Sequence, residues 1–301
     1  MPTQSTGPEV ARAAAPKQVS APLAVPQELE YVRFRPLHRV LHACMVVSFI
    51  TLAVTGLSLK FSYTAWAALL SHLLGGFQSA GFIHRSAAVL MFATFFAHLG
   101  DVVRTKRRQR RSWREVLLGP DTILFTRRDF REFLATMKWF VGAGPRPQYG
   151  RWTYWEKFDY FAVFWGVFVI GATGLTLWFP IFFTRFLPGW FINVATIIHS
   201  DEALLATGFI FTVHFFNTHL RPERFPMDIT VFTGQMPLAE LRRDKPREYE
   251  RMLASGELEE HLAPQHPEIV LRTIRVFGSI ALGVGFAIVV WIIYAMVFAY
   301  R

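Results

Sequence analysis

The 301-residue chain is 52% hydrophobic and 18% charged, against about a quarter charged in an ordinary soluble domain, which argues against a soluble enzyme. Its one cysteine, Cys44, excludes a disulfide framework, a C-x-x-C-H attachment of c-type haem and a cysteine-ligated iron–sulfur cluster. The net charge of +10 acquires meaning only once the basic residues are placed relative to a membrane.

Residues 1–30, rich in Ala, Pro, Ser and Gln, have no apolar h-region and no small-residue cleavage site. They are expected to form a disordered cytoplasmic tail, so that the first apolar span is retained. A helix needs about 20 apolar residues to cross a bilayer, and five stretches meet or approach this: Val40–Leu59, Phe82–Val103, Tyr160–Phe183, Phe186–Leu220 and Val276–Tyr300. The first, third and fifth carry no charge; the second holds Arg85, and the fourth holds Asp201 and Glu202. The loop 104–157 contains 14 of the 32 Lys and Arg residues, the positive-inside signature of a cytoplasmic segment. By the same rule the connections 61–81 and 184–198, with Arg185 as their one Lys or Arg, lie outside. The N-terminus is then cytoplasmic and the C-terminus periplasmic. Within the basic loop, Phe130, Phe133, Leu134, Met137 and Val141 recur at helical spacing beside Arg128, Arg131 and Lys138, which predicts an interfacial helix over 129–141. Segment 237–262 is highly charged and reads as a solvated helical loop. No internal repeat, Gly-rich phosphate loop, nucleophile elbow or nucleic-acid motif is evident.

The expected fold is an all-α integral membrane protein. A core at 31–225 contains four helices, a charged cytoplasmic loop spans 226–270, and a fifth transmembrane helix lies at 271–301. Six of the ten histidines gather at helix ends: His42, His84, His98, His199, His214 and His219. One buried histidine is usually a packing residue, but ionisable side chains inside a membrane are costly and tend to be functional. His84 and His98 are 14 residues apart and His199 and His214 are 15 apart, rises of about 21 and 22 Å. At about 100° per residue each pair stays roughly on one face. Facing each other, the two helices would present imidazoles at two levels, as two bis-histidine haems stacked across a bilayer require.

Arg33-x-Arg35-x-x-His38-Arg39-x-x-His42 followed by Thr55-Gly56-Leu57, then His84-Arg85, and His199 with His214, resemble the bacterial cytochrome b subunits of formate dehydrogenase, nickel–iron hydrogenase and thiosulfate reductase. The resemblance covers about residues 31–225. It implies two b-type haems, the outer ligated by His84 and His199 and the inner by His42 and His214, in a respiratory electron-transfer subunit of a quinone-linked oxidoreductase. Quinone or menaquinone would be the substrate, membrane lipid the surroundings, and the bacterial inner membrane the location. The redox partner would be a periplasmic subunit, a multihaem c-type cytochrome or an iron–sulfur protein, with the fifth helix offered as its packing site. No nucleic-acid partner and no catalytic residue proper to this chain are expected.

His98 departs from that pattern. It lies at the level of His42 and His214, so a His98 and His214 pair is open as well. A third inner haem on His98 and His219 is disfavoured, because His219 falls about 160° off the face of His199 on an ideal helix. His38, His98, Asn217 and His219, with Arg35 and Arg39, are candidates for a quinone site. Arg35, Arg39 and Arg85 suit either haem propionates or interfacial anchoring. Asp201 and Glu202 suit a proton relay or partner contact, or simply the helix dipole. Two other classes compete. His38-x-x-x-His42 has the form of a desaturase or hydroxylase histidine box, and a proton-coupled transporter would use the histidines without a cofactor.

Overall fold

The computed structural model describes residues 29–222, 224–225 and 227–299. The tail expected at 1–30 therefore lies outside the described residues except for Leu29 and Glu30, as do Glu223, Pro226, Tyr300 and Arg301. Leu29 and Glu30 open a strand, β1 (Leu29–Val32). α1 (Pro36–Lys60) begins with Pro36 in the first turn, where proline's missing N–H costs nothing. α2 (Ala65–Leu73) is capped by the Thr64 hydroxyl, and α3 (Phe77–Arg108) ends in Lys106, Arg107 and Arg108, cations suited to a helix C-terminus. α4 (Trp113–Leu118), α5 (Arg127–Phe140) and α6 (Tyr154–Trp178) each start with a capping box. Pro180 then stops α6 and opens the short α7 (Pro180–Phe183), so the third span ends earlier than the apolar run to Phe183 suggested. α8 (Phe191–Phe209) runs on through two π-turns, Ile210–His214 and Phe216–Leu220.

Between the fourth and fifth spans, the expected solvated loop is instead folded. It contains α9 (Thr230–Thr233), β2 (Gln235–Pro237), α10 (Leu238–Asp244), α11 (Pro246–Ser255) and β3 (Leu262–Pro264). α12 (Glu268–Tyr294) completes the chain with a terminal π-turn at Ala295–Ala299. Five helices, α1, α3, α6, α8 and α12 with their extensions, are long and apolar enough to cross a membrane. The fold is thus that of an all-α multi-pass membrane protein carrying one small sheet.

The spanning helices are inverted relative to a soluble bundle. Phe82, Phe168, Leu205 and Ile293 face outward, while Ser48, Ser58, Thr94, Thr176 and Thr207 are buried. Small hydroxyl residues inside let backbones approach and satisfy their own hydrogens; Ser48, for example, donates to the Cys44 carbonyl at 2.8 Å. α1 packs chiefly on α3 and α6 on α8, and α12 lies against α1 and α8. There Gly285 meets Phe211 and Phe215, and Trp291 stacks on Trp66 of α2 at 5.8 Å.

Four crossings separate β1 from β2 and β3, so all three strands emerge at one end, together with the basic loop between α3 and α6. There they form an antiparallel sheet in the order β2-β1-β3, Tyr31 lying opposite Met236 and Leu262. Tyr31, Met236, Leu241, Met252 and Leu258 make its small apolar core. Several of the charges that implied a solvated loop are paired instead, while Arg242, Glu250, Glu259 and Glu260 remain exposed. Arg33 reaches Glu156 and Glu248, each at 3.3 Å, and Arg151 reaches Glu248 at 2.8 Å. Lys245 also pairs with Glu156. Glu248 is 1% exposed. This cap closes the basic end of the bundle.

α5 occupies the position expected of the interfacial helix and is inverted in the same way as the spans. Asp129, Glu132 and Thr136 are buried against the cap and α6, while Phe130, Phe133, Leu134, Met137 and Phe140 are exposed. Asp129 pairs with Lys157 at 2.9 Å, and Glu132 pairs with Arg247.

Candidate functional site

A cavity of about 1570 Å³ runs down the middle of the bundle and into the cap, and His38, His42, His84, His98, His199, His214 and His219 all line it. Single small-ligand pockets span about 300–1,000 Å³, so this one has room for more than one occupant.

At the end away from the cap, His84 of α3 and His199 of α8 face each other with ring centroids 6.2 Å apart. Their Nδ1 atoms are engaged. His84 Nδ1 lies 2.9 Å from Thr55 Oγ1; that hydroxyl donates its own hydrogen to the Thr51 carbonyl at 2.6 Å, so it accepts from the imidazole. His199 Nδ1 lies 2.9 Å from the Ile170 carbonyl and 3.4 Å from Thr173 Oγ1. Both rings therefore carry hydrogen on Nδ1 and keep the Nε2 lone pair free, the tautomer a metal ligand needs. Two metal–imidazole bonds of about 2 Å plus half a ring on each side span about 6 Å, the separation found. Glycine clears the space beside each ring. A Cβ on Gly56 would sit 3.3 Å from His84 Cε1, and one on Gly174 would sit 2.9 Å from His199 Cε1.

At the cap end, His42, His214 and His219 lie within range of one another's charge. His214 Nδ1 is 3.0 Å from Asp159 Oδ2, a carboxylate–imidazole pair of the kind that orients metal-bound histidines. His42 Nδ1 and His219 Nδ1 are buried without a partner. His98 faces elsewhere, its Nε2 2.8 Å from the Tyr160 hydroxyl. The structure thus brings His42 within electrostatic range of His214, whereas His98 is engaged by Tyr160. The π-turns account for two departures from ideal helical geometry. Winding less per residue than an α-helix, they offset the overshoot of a 15-residue spacing at His214. They also carry His219 under His214, ring centroids 6.5 Å apart, where an α-helix would have turned it away.

Four partners of these histidines, Thr55, Asp159, Tyr160 and Thr173, were not singled out from sequence as histidine partners. A signal was available. Thr55-Gly56-Leu57 on α1 recurs as Thr173-Gly174-Leu175 on α6, and each threonine lies beside an outer histidine. His42 precedes Gly56 by 14 residues, as Tyr160 precedes Gly174 by 14.

Three arginines expected near acidic groups of a ligand have other contacts. Arg35 pairs with Asp101, which also lies 3.2 Å from His38 Nε2. Arg39 Nε donates to the Phe232 carbonyl at 2.7 Å, and Arg85 lies over the Trp178 ring at 5.9 Å. Asp201 pairs with Lys60 at 2.9 Å; Asn217 and Glu202 line the cavity.

Among the described residues no three His, Cys, Asp or Glu side chains converge as a metal-binding group. Compared with known proteins, the sequence matches no family model and no curated relative.

Proposed function

We propose that this chain is a b-type cytochrome of the bacterial inner membrane that carries electrons between the quinone pool and a periplasmic redox partner. In this reading His84 with His199, and His42 with His214, hold two haems. The observation that carries it is the outer pair: two imidazoles with ring centroids 6.2 Å apart, each held by Nδ1, each given clearance by a glycine, at the end of a cavity too large for one small ligand.

Haem bound there supplies a one-electron carrier. The chain's own residues do the rest. Thr55 and the Ile170 carbonyl fix the outer ring planes. Asp159 accepts the Nδ1 hydrogen of His214, which makes that imidazole more electron-rich. The mainly apolar wall along the spanning helices would limit contact of the haems with water. Near the cap end, the Arg35, Asp101 and His38 cluster and the His98 and Tyr160 pair offer proton-handling groups beside an apolar cleft, as quinone chemistry requires. The basic loop and cap face the cytoplasm in this reading, and an iron–sulfur protein or multihaem c-type cytochrome docks at the opposite end. The histidine-box reading has less support, since such a site needs several ligands converging at one depth.

The test is a pyridine haemochrome assay on the purified full chain. Two haems b per chain are expected, reducible by a menaquinol analogue, and His199→Ala should lose one of them. A wild-type chain without haem would end this reading.

A further inference from the structure

A cation on the wall of an apolar cavity in a spanning bundle is expected to meet an anion, although Arg85 is exposed and Arg221 half-buried here. Most of the cations do. Arg33, Lys60, Arg146, Arg151, Arg224 and Lys245 each hold a carboxylate. Among the described residues, Arg85 and Arg221 are the two Lys or Arg side chains on the cavity wall with no carboxylate partner.

The two share one arrangement. The Arg85 guanidinium lies 5.9 Å from the Trp178 ring centroid and that of Arg221 lies 5.2 Å from the Trp155 ring centroid. Trp155 and Trp178 stand at the two ends of α6, so each end of the cavity carries one arginine propped on a tryptophan. Stacking orients the guanidinium and leaves its N–H edge free to bind. Arg221 Nε is moreover buried with no hydrogen-bond partner. Arg85 sits in the apolar part of α3, where an unpaired charge is expensive. Arg221 follows His214 by seven residues, past the second π-turn and nearer the cap.

We propose that Arg85 and Arg221 are carboxylate-binding residues of the cavity, each receiving an acidic group at its own end. Since the two ends accept acid independently, the occupants point their carboxylates in opposite directions. This deepens the haem reading and rests on it: the outer haem's propionates meet Arg85 and the inner haem's meet Arg221. It also replaces the expectation that Arg35 and Arg39 serve this role, since both are already engaged.

The experiment is spectroelectrochemical titration of the full chain with its haems, comparing wild type with Arg85→Gln, Arg221→Gln and the corresponding lysine variants. A nearby positive charge favours the reduced, more negative haem. Each glutamine variant should therefore lower the reduction equilibrium constant of one haem by up to about tenfold, 59 mV for one electron. The two variants should affect different haems, and lysine should restore part of the shift. Haem content by haemochrome assay, run in parallel, separates a shifted potential from a lost cofactor. Both potentials unmoved in both variants would overturn the inference and leave the cytochrome reading intact. Both variants moving the same haem would overturn the assignment of one arginine to each end. A wild-type chain without haem would remove both readings together.

Discussion

At the scale of single residues, the two glycines beside the outer histidines are not equivalent. A Cβ at Gly174 would lie 2.9 Å from His199 Cε1, whereas at Gly56 it would lie 3.3 Å from His84 Cε1. Both rings are held by Nδ1 and have little freedom to retreat. Gly174→Ala is expected to displace His199 and lose one of two haems, whereas Gly56→Ala keeps both with a perturbed spectrum; haem content and reduced-minus-oxidised spectra check this. Asp159→Asn preserves shape while removing the negative charge behind His214. It should raise the midpoint potential of one haem and leave the other in place, as potentiometry would show. The six clustered histidines were legible in sequence because imidazoles are conspicuous in apolar helices. Their partners were not: Thr, Tyr and Asp at helix ends are common, and only a view across two helices shows which imidazole each one serves.

At the scale of elements, the cap is held by ion pairs over a small apolar core. Burial pushes the Asp244 carboxyl upward, but the Arg243 hydrogen bond and the charges of Arg224, Arg243 and Arg146 outweigh it and hold the group below its ordinary value of 3.8. Asp129 is likewise raised by burial, yet held low overall by hydrogen bonds from Thr126 and Lys157. A carboxyl with a depressed folded-state pKa binds fewer protons folded than unfolded, so its contribution is present above 3.8 and is lost as pH falls through the folded value. Below about pH 4 the cap should loosen before the spanning helices do. Hydrogen exchange over 236–258, corrected for intrinsic rates, should rise there while α1 and α6 stay protected. The helical period of α5 was readable because its apolar stripe is strong. The folding of the segment 226–270 was not, because a charged sequence looks the same whether its charges face water or one another.

At the scale of the whole molecule, the four apolar helices between β1 and the folded segment 227–270 bring β1, the loop 104–157 and that segment to one end. Single cysteines introduced into a Cys44→Ala background at Glu115 and at Arg185 should label from opposite faces of sealed vesicles, and one at Arg242 should follow Glu115. Labelling of Glu115 and Arg242 from different faces would contradict the assembled cap.

What the sequence determined by itself is what hydropathy and spacing encode: the number and approximate place of the spans, the basic end, and the two levels of histidine. These follow from the length of apolar helix a bilayer demands and from the rise per residue, both local quantities. Only the tertiary structure decided that His98 is engaged by Tyr160 while His42 falls within range of His214, that His219 turns under His214, and that three distant charged segments close into one cap. Those outcomes depend on π-turns that change the winding of α8 and on ion pairs between residues up to 215 positions apart, and neither leaves a periodic trace along the chain.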